Sequence, residues 1–303
     1  MRWRKLGRMF VPDGSVDWMT SHAMVPFAEH LEDDRFRVYF SSRDRSGRGH
    51  VGRFDIDMKD PTRVLSVSPR PLLGPGPLGA FDDNGVTLTW ITQLPTRRLL
   101  YYNGWSLGVS VPFYLSIGQA ISEDGGVTYR RISAAPLFER STVDPFLTAS
   151  ASVLVEDGHW RMWYVSAERW EATQAGPKHF YHIRYADSID GLAWRREGRV
   201  CLDFSGPDEH AIARPCVLRD GQVYRMWYCH RGPSYRIGYA ESNDGLAWER
   251  LDDEVGIDVS PNDWDGEMLA YPHVFDHEGR RYMLYNGNDY GRTGIGLAVL
   301  ESD

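Results

Sequence analysis

Short stretches of alternating apolar and polar residues recur along the chain, and none has the three-to-four-residue period of an amphipathic helix. This pattern predicts many short β-strands. One strand type is rich in Met, Trp and Tyr: it occurs at residues 160–164 (WRMWY), 224–228 (YRMWY) and 281–285 (RYMLY), with weaker copies at 36–40 and 98–102. The copies recur roughly every 60 residues, which predicts an internal repeat of five units.

A second motif follows two of the stronger copies. Residues 183–188 (IRYADS) precede Asp190-Gly191, and residues 237–242 (IGYAES) precede Asp244-Gly245. Asp-Gly is typical of a hairpin turn, because Gly adopts a positive φ without steric cost, and a Trp then begins the next strand. Four short antiparallel strands per unit are typical of a propeller blade.

We therefore predict an all-β chain that forms a single five-bladed β-propeller domain over residues 1–303. The predicted blades are residues 10–65, 66–133, 134–198, 199–252 and 253–303 plus 1–9. The last unit ends at its third strand, and residues 3–8 (WRKLGR) closely match the Trp strand at 194–199 (WRREGR). The N-terminal strand is therefore expected to complete the last blade, which removes an exposed sheet edge.

Charge and cysteine content narrow the function classes. The formal net charge is −8, so a basic nucleic-acid-binding face is not expected. Three cysteines do not suggest a disulfide framework, and neither a secretory signal nor an apolar membrane span is present in the sequence. We expect a cytoplasmic protein without a cofactor or a resident metal, and the oligomeric state stays open. The 13% aromatic content fits both strands and a sugar-binding cleft, so it does not separate them.

Carboxylates precede the predicted innermost strand of every unit, which would place them at the mouth of one central funnel. Cleavage of a glycosidic bond needs paired carboxylates, one to donate a proton and one to activate water or attack. We predict catalytic roles for Glu209 as the acid, with Asp83 or Asp144 as the base or nucleophile. The alternative is that each carboxylate is a turn former in front of a strand.

Further side chains are predicted to contact a substrate. Arg214 begins an innermost strand, where an unpaired charge is costly, so it is expected to face funnel carboxylates or a ligand anion. Arg43 belongs to a basic loop that suits a phosphate or a sugar carboxylate. The complete set of predicted substrate-binding residues is Asp17, His22, Arg43, Trp105, His210, Arg214, Glu267 and Tyr271.

The chain resembles the five-bladed propeller glycosidase superfamily, which includes arabinanases, β-xylosidases, invertases, levansucrases and the related mannoside phosphorylases. It is most similar to glycosyl hydrolase-like proteins of bacterial surface-polysaccharide gene clusters, through residues 21–23 (SHA), 39–44 (YFSSRD), 214–215 (RP) and 282–287 (YMLYNG). The resemblance implies carbohydrate chemistry in bacterial polysaccharide metabolism.

The active-site pattern departs from that of the hydrolases that the chain resembles. They carry Asp-Pro at the start of the first inner strand and a Glu before Pro in a later blade, whereas this chain has residues 24–26 (MVP) and Arg214-Pro215. The order of Asp17, Asp144 and Glu209 is similar to that of the superfamily's catalytic trio. Three functions stay open: an enzyme acting on a glycosidic bond (hydrolase, phosphorylase or transferase), a non-catalytic carbohydrate-binding propeller, and a protein-interaction scaffold.

Overall fold

The computed structural model describes residues 1–301 and is almost entirely β-structure. The strands fall into five antiparallel groups, and a short 3-10 helix, η1 (Asp252–Glu254), and a one-turn helix, α1 (Asn288–Gly291), lie between strands. Group 1 contains β2 (Ser21–Glu32), β3 (Arg35–Arg43), β4 (Gly49–Asp57) and β5 (Asp60–Val67). Group 2 contains β6 (Val86–Leu94), β7 (Arg97–Leu107), β8 (Phe113–Ser122) and β9 (Arg130–Arg131).

Groups 3 and 4 share one eight-stranded sheet, in which a single parallel residue pair, Tyr181 with Ala211, joins them. Group 3 contains β10 (Thr148–Glu156), β11 (His159–Thr173), β12 (Gly176–Ser188) and β13 (Trp194–Leu202). Group 4 contains β14 (Ala211–Asp220), β15 (Val223–Arg231), β16 (Tyr235–Ser242) and β17 (Glu249–Arg250). Group 5 contains β18 (Ala270–His277), β19 (Arg280–Asn286), β20 (Ile295–Leu300) and the N-terminal strand β1 (Trp3–Phe10).

The N-terminal strand occupies the place predicted for it. β1 pairs antiparallel with β20, with Trp3 opposite Leu300 and Phe10 opposite Ile295. The first and last strands of the chain therefore belong to one sheet, and the edge of β20 is covered.

The Asp-Gly turns form as the sequence predicts. Gly191 and Gly245 both have φ of +72°, a conformation that side-chain-bearing residues rarely adopt. In the first of these turns the Asp190 carboxylate accepts hydrogen bonds from the backbone amides of Leu192 and Ala193, at 2.8 Å each. The turn is thus stabilised by its own side chain, and the fourth strand starts directly after it.

The first strands carry long buried runs, as in β6, where seven consecutive residues from Val86 to Thr92 are buried. Alternating strands with one solvated face would not show such a run. The first strands contact one another in a cyclic order: β2 touches β6, β6 touches β10, β10 touches β14, β14 touches β18, and β18 touches β2. They therefore form the centre around which the five groups are arranged.

Within residues 1–301, neither short helix has the length or the apolar character that a membrane-spanning segment requires.

Candidate functional site

A cavity of about 430 Å³ lies where the first strands and two long hairpins meet. Residues from all five groups contribute to its lining. The polar and aromatic side chains around it are Arg43, Asn84, Thr87, Asn103, Trp105, Phe113, Ser150, His179, Tyr181, Arg231, Tyr235, Tyr271 and Tyr290. Its volume falls within the range of small-molecule sites, and a few polar groups among aromatic side chains are typical of such sites.

One side of the cavity is an aromatic wall, formed by Trp105, Phe113, Trp170, His179 and Tyr181 on the β7–β8 and β11–β12 hairpins. Ring centroids along it are 5.2 Å apart for Trp105–Phe113 and 5.3 Å for Phe113–Trp170. The His179 and Tyr181 rings stack at 4.7 Å. Trp105 donates a hydrogen bond from Nε1 to Thr87 Oγ1 at 2.9 Å, which fixes its ring. Such rings provide flat apolar faces for a bound sugar.

Next to this wall, and continuous with it through Tyr181, the lining combines tyrosines with an arginine. The Tyr181 and Tyr235 hydroxyls are 2.6 Å apart and share a hydrogen bond. The Arg231 guanidinium lies 5.6 Å from the ring centroids of both Tyr235 and Tyr290, and its buried Nε has no hydrogen-bond partner in the described residues 1–301. Burial raises the pKa values of Tyr181 and Tyr235, so both hydroxyls keep their protons at neutral pH.

The backbone below the cavity is strained at equivalent places in the first strands. Val25, Ser150 and Tyr271 have φ of +53°, +49° and +56°, each within a β-bulge of its strand. Asn103 Oδ1 accepts a hydrogen bond from the Ser150 amide at 2.8 Å, and Asn286 Oδ1 accepts one from the Val25 amide at 2.8 Å. The bulges at Ser150 and Val25 are thus each stabilised by a hydrogen bond to an asparagine of a neighbouring group.

The carboxylates that precede the first strands do not converge on the cavity, contrary to the expectation from the sequence. Within residues 1–301, no Asp or Glu side chain lines it. Four of these carboxylates instead form short ion pairs with a cation on the fourth strand of their own group. The pairs are Asp82–Arg131 at 2.7 Å, Asp144–Arg196 at 2.9 Å, Glu209–Arg250 at 2.7 Å and Asp265–Lys5 at 2.6 Å.

The four carboxylate–cation pairs share one register. Arg131, Arg196, Arg250 and Lys5 lie opposite Ala120, Ala186, Ala240 and Ala298 of the third strand. In the sequence each cation stands two residues after an aromatic residue, in 3–5 (WRK), 129–131 (YRR), 194–196 (WRR) and 248–250 (WER). This repeated pattern, an aromatic residue followed two positions later by a cation, indicates the four ion pairs and was not used in the prediction of the site.

Glu209, the predicted acid, is buried and accepts hydrogen bonds from Arg250 at 2.7 and 2.9 Å and from the Ser205 amide at 2.8 Å. His230 Nδ1 is 2.8 Å from its other face. Burial alone would raise the pKa of the Glu209 carboxyl, but the bonds from His230, Arg250 and Ser205 outweigh it and lower that pKa to about 2. A carboxyl whose pKa is lowered this far is a poorer proton donor than an ordinary carboxyl.

The other two predicted catalytic carboxylates, Asp144 and Asp83, differ in their burial and in their hydrogen bonds. Asp144 is fully buried and accepts hydrogen bonds from Tyr164 at 3.2 Å and from Arg196 at 2.9 Å, so it is committed to the protein interior. Asp83 is half-buried and accepts one hydrogen bond, from the Gly79 amide at 3.0 Å. It directly precedes Asn84, which lines the cavity.

The predicted substrate-binding residues divide into two sets. Arg43, Trp105 and Tyr271 line the cavity, although Arg43 ends strand β3 and does not lie in the predicted basic loop. Asp17 is exposed and lies 3.5 Å from Arg45, and Glu267 is an exposed residue whose carbonyl accepts hydrogen bonds from Ser234 and Arg236. These two are not among the lining residues.

The predicted histidines are buried beside the cavity. His22 Nδ1 is 2.9 Å from Ser21 Oγ, and burial together with the nearby Arg43 lowers its pKa to about 4. His210 packs with a ring-centroid distance of 5.8 Å against His179. Both contact the residues that form the cavity, and neither is in its lining.

Arg214 is fully buried, and its environment differs from the expectation. Nη2 donates a hydrogen bond to the Pro26 carbonyl at 3.1 Å, and the guanidinium lies 5.8 Å from the Trp90 ring. Nε and Nη1 have no hydrogen-bond partner in residues 1–301, and no carboxylate of that range is within ion-pair distance. Burial lowers its pKa to about 10, which leaves the guanidinium charged at neutral pH.

The described residues contain one cluster with metal-ligand spacing, Asp34, His277 and Glu278. Asp34 Oδ1 accepts a hydrogen bond from His277 Nε2 at 2.8 Å, and Asp34 Oδ2 lies 3.1 Å from Lys59 Nζ. This cluster is an ion pair between groups 1 and 5 and does not adjoin the cavity.

The fold is that of glycoside hydrolase-like propeller proteins. A structure described as a BT0996 RGII complex matches with a TM-score of 0.77 at 16% identity, covering 98% of this protein and 91% of that one. A thermostable family-43 glycoside hydrolase matches with a TM-score of 0.70 at 15% identity, covering 96% and 93%. A structure described under the GH130 family of mannoside phosphorylases matches with a TM-score of 0.71 at 14% identity, covering 99% and 93%.

Two curated relatives identify the family more narrowly. The uncharacterized proteins MT1551 and Rv1502 of Mycobacterium tuberculosis, from strains CDC 1551 / Oshkosh and ATCC 25618 / H37Rv, are each 48% identical over 303 residues, the full length of both proteins compared. The chain belongs to the family of these two mycobacterial proteins. No family model matches the sequence.

Proposed function

We propose that this protein is a carbohydrate-active enzyme that binds a sugar in the cavity and acts on its glycosidic bond. The aromatic wall carries the proposal, because stacked rings beside amide and hydroxyl groups are what a sugar needs: flat faces for its C–H surfaces and partners for its hydroxyls. The cavity offers Trp105 as a ring and Asn103 and Ser150 as polar groups. The fold neighbours are described as glycoside hydrolases and mannoside phosphorylases, which agrees with this class.

We also propose an architecture for the chain, namely a single five-bladed domain. The cyclic contacts of β2, β6, β10, β14 and β18 support a single domain of five blades, in which groups 1 to 5 are the blades and the cavity is the central funnel. The blades would correspond to the segments predicted from the repeat.

The chemistry proposed for the site uses one carboxylate and not a pair. Glu209 and Asp144 are held by arginines, so the proposed proton donor is Asp83, which is not part of the lining and would have to turn into the cavity from its place beside Asn84. Asp83 would protonate the leaving oxygen as the bond from that oxygen to the anomeric carbon breaks, and an acceptor oxygen would form the new bond to that carbon. An acceptor that is already anionic, such as phosphate, needs no second carboxylate to activate it, so phosphorolysis or transfer is favoured over hydrolysis.

Product analysis tests this proposal. The protein is incubated with a panel of oligosaccharides, with and without inorganic phosphate, and products are followed by ¹H and ³¹P NMR. We expect a new sugar product that is abolished by Asp83→Asn, while Glu123→Gln, an exposed carboxylate paired with Arg130 at 3.5 Å, serves as the matched control. Turnover that survives Asp83→Asn would contradict the assignment of the acid.

A non-catalytic carbohydrate-binding protein is the second candidate, and one observation favours it: the absence of a lining carboxylate within residues 1–301. It predicts that sugars bind, that Asp83→Asn leaves their affinity unchanged, and that no product forms with any acceptor.

A further inference from the structure

Arg43 and Arg231 are two cations of the cavity lining without an anionic partner. Neighbouring arginines are paired: Arg45 with Asp17 at 3.5 Å and Arg48 with Asp44 at 2.9 Å. In residues 1–301 neither Arg43 nor Arg231 has a carboxylate oxygen within 4.0 Å, although Asp and Glu outnumber Lys and Arg by 42 to 34 in the chain. The missing counter-charges are therefore a local property of the cavity.

Neither guanidinium group is paired with a carboxylate of residues 1–301, and one negative charge, that of the exposed Asp289, acts near Arg43. Arg231 is flanked by the Tyr235 and Tyr290 rings, and the nearby Lys178 contributes a further positive charge. On the side of Arg43, His22 is uncharged at neutral pH, and the Asp289 carboxylate lies 3.5 Å from Arg292. Burial and then Arg43 lower the pKa of His22, and burial, His210 and then Arg231 lower that of His179, so both guanidinium charges reach the histidines beside the cavity.

A guanidinium that is partly withdrawn from water needs an anionic or hydrogen-bonding partner to offset its lost hydration. Its planar fork of N–H donors matches the oxygens of a phosphate or a carboxylate, which it binds by charge-assisted hydrogen bonds. Among residues 1–301 no carboxylate lines the cavity, which favours a ligand as the source of the complementary group.

We propose that Arg43 and Arg231 form an oxyanion-binding site inside the sugar cavity, so that the protein acts on a carbohydrate together with a phosphate or carboxylate group. This inference rests on the proposed function and narrows its substrate class. The oxyanion has two sources, a phosphate ester or uronate carboxylate carried by the sugar itself, or inorganic phosphate bound beside a neutral sugar.

Isothermal titration calorimetry of the full chain distinguishes these sources. The probes are mannose, glucose and galactose, their 6-phosphates, the matching uronates and inorganic phosphate, each with 50 mM and 500 mM NaCl. If the sugar carries the anion, charged members bind at least tenfold more tightly than their neutral parents. If the anion is separate, inorganic phosphate binds and tightens the binding of a neutral sugar. In both cases high salt weakens the charged interaction.

Variants assign the effect to the two arginines. Arg43→Gln and Arg231→Gln are each expected to weaken anion binding at least tenfold and to leave the affinity for a neutral sugar within about twofold. Arg45→Gln, which alters an exposed arginine of the same loop, is the matched control and is expected to change neither affinity. Arg43→Lys retains the charge without the fork and should recover part of the lost affinity.

The two proposals fail in different ways. If neutral sugars bind, and neither the charge of the sugar nor added phosphate changes their affinity, the oxyanion site is refuted and the sugar cavity stands. If no sugar binds and inorganic phosphate binds in an Arg43-dependent manner, the carbohydrate function is refuted and the anion site stands. If no probe binds to a folded protein, both are refuted.

Discussion

Replacing Glu209 by Gln is expected to destabilise the fold while leaving ligand binding intact. The side chain is buried and hydrogen-bonded to Arg250, His230 and the Ser205 amide. Removing one partner of a buried ion pair costs roughly 3–5 kcal/mol, and because Gln keeps an oxygen that can accept one of the three donors, we expect about 3 kcal/mol. For a chain of this size that corresponds to a fall of about 6 °C in Tm.

The pH dependence follows from the lowered pKa of this carboxyl. A group whose pKa is lower in the folded state than in the unfolded state stabilises the fold above its unfolded pKa. The Glu209 pKa falls from an ordinary 4.5 to about 2, so its contribution is complete above about pH 4.5 and is lost as the pH falls towards 2. The difference in unfolding free energy between wild type and Glu209→Gln should therefore be larger at pH 5 than at pH 3.

Urea unfolding monitored by tryptophan fluorescence measures this difference at each pH. Glu123→Gln removes an exposed carboxylate and should change stability by no more than about 0.5 kcal/mol. The reasoning would be refuted if Glu209→Gln left the free energy of unfolding within about 1 kcal/mol of wild type. If the same variant also abolished turnover, Glu209 would be the catalytic acid that the sequence analysis predicted.

Three further perturbations test the fold. Asp144→Asn is expected to lower the free energy of unfolding by about 3–5 kcal/mol in urea, because it leaves two arginines near a buried neutral group, and a loss below about 1 kcal/mol would contradict this. Deleting residues 1–10 uncovers the edge of β20 and removes the Lys5 partner of Asp265. The deletion should therefore lower Tm, measured by calorimetry, and cause aggregation, measured by light scattering. An unchanged Tm would count against the β1–β20 pairing. Arg214→Met should leave the stability unchanged or raise it by about 1–2 kcal/mol, since it replaces a buried, mostly unpartnered charge, whereas a marked loss would indicate an anionic partner for Arg214.

The sequence was sufficient for the strands, the turns and the closing strand, because these depend on local pattern. Asp190-Gly191 forms a turn through its own side chain and a positive φ, and Trp3 begins a strand of the same type as Trp194. Local signals of this kind survive in a single sequence because neighbouring residues alone satisfy them.

The direction of the carboxylates could not be predicted in the same way. Counting residues places Asp144 and Glu209 before a first strand, but whether each turns to the cavity or to its own group depends on Arg196 and Arg250, which lie 52 and 41 residues further along the chain. Part of the cavity lining was missed for a related reason. Arg231 ends β15 and His179 lies on the extended part of the β11–β12 hairpin, and no local pattern reveals how far a hairpin extends past its sheet.

A crystal structure of the protein with the tightest-binding sugar of the calorimetric panel would show whether the cavity is the sugar site. We expect the sugar to lie in the cavity with one face on Trp105, an oxyanion to contact Arg43 or Arg231, and the Glu209–Arg250 pair to be intact. A sugar bound outside the cavity, or one whose glycosidic oxygen is contacted by Glu209 after the arginine pair has opened, would contradict this expectation.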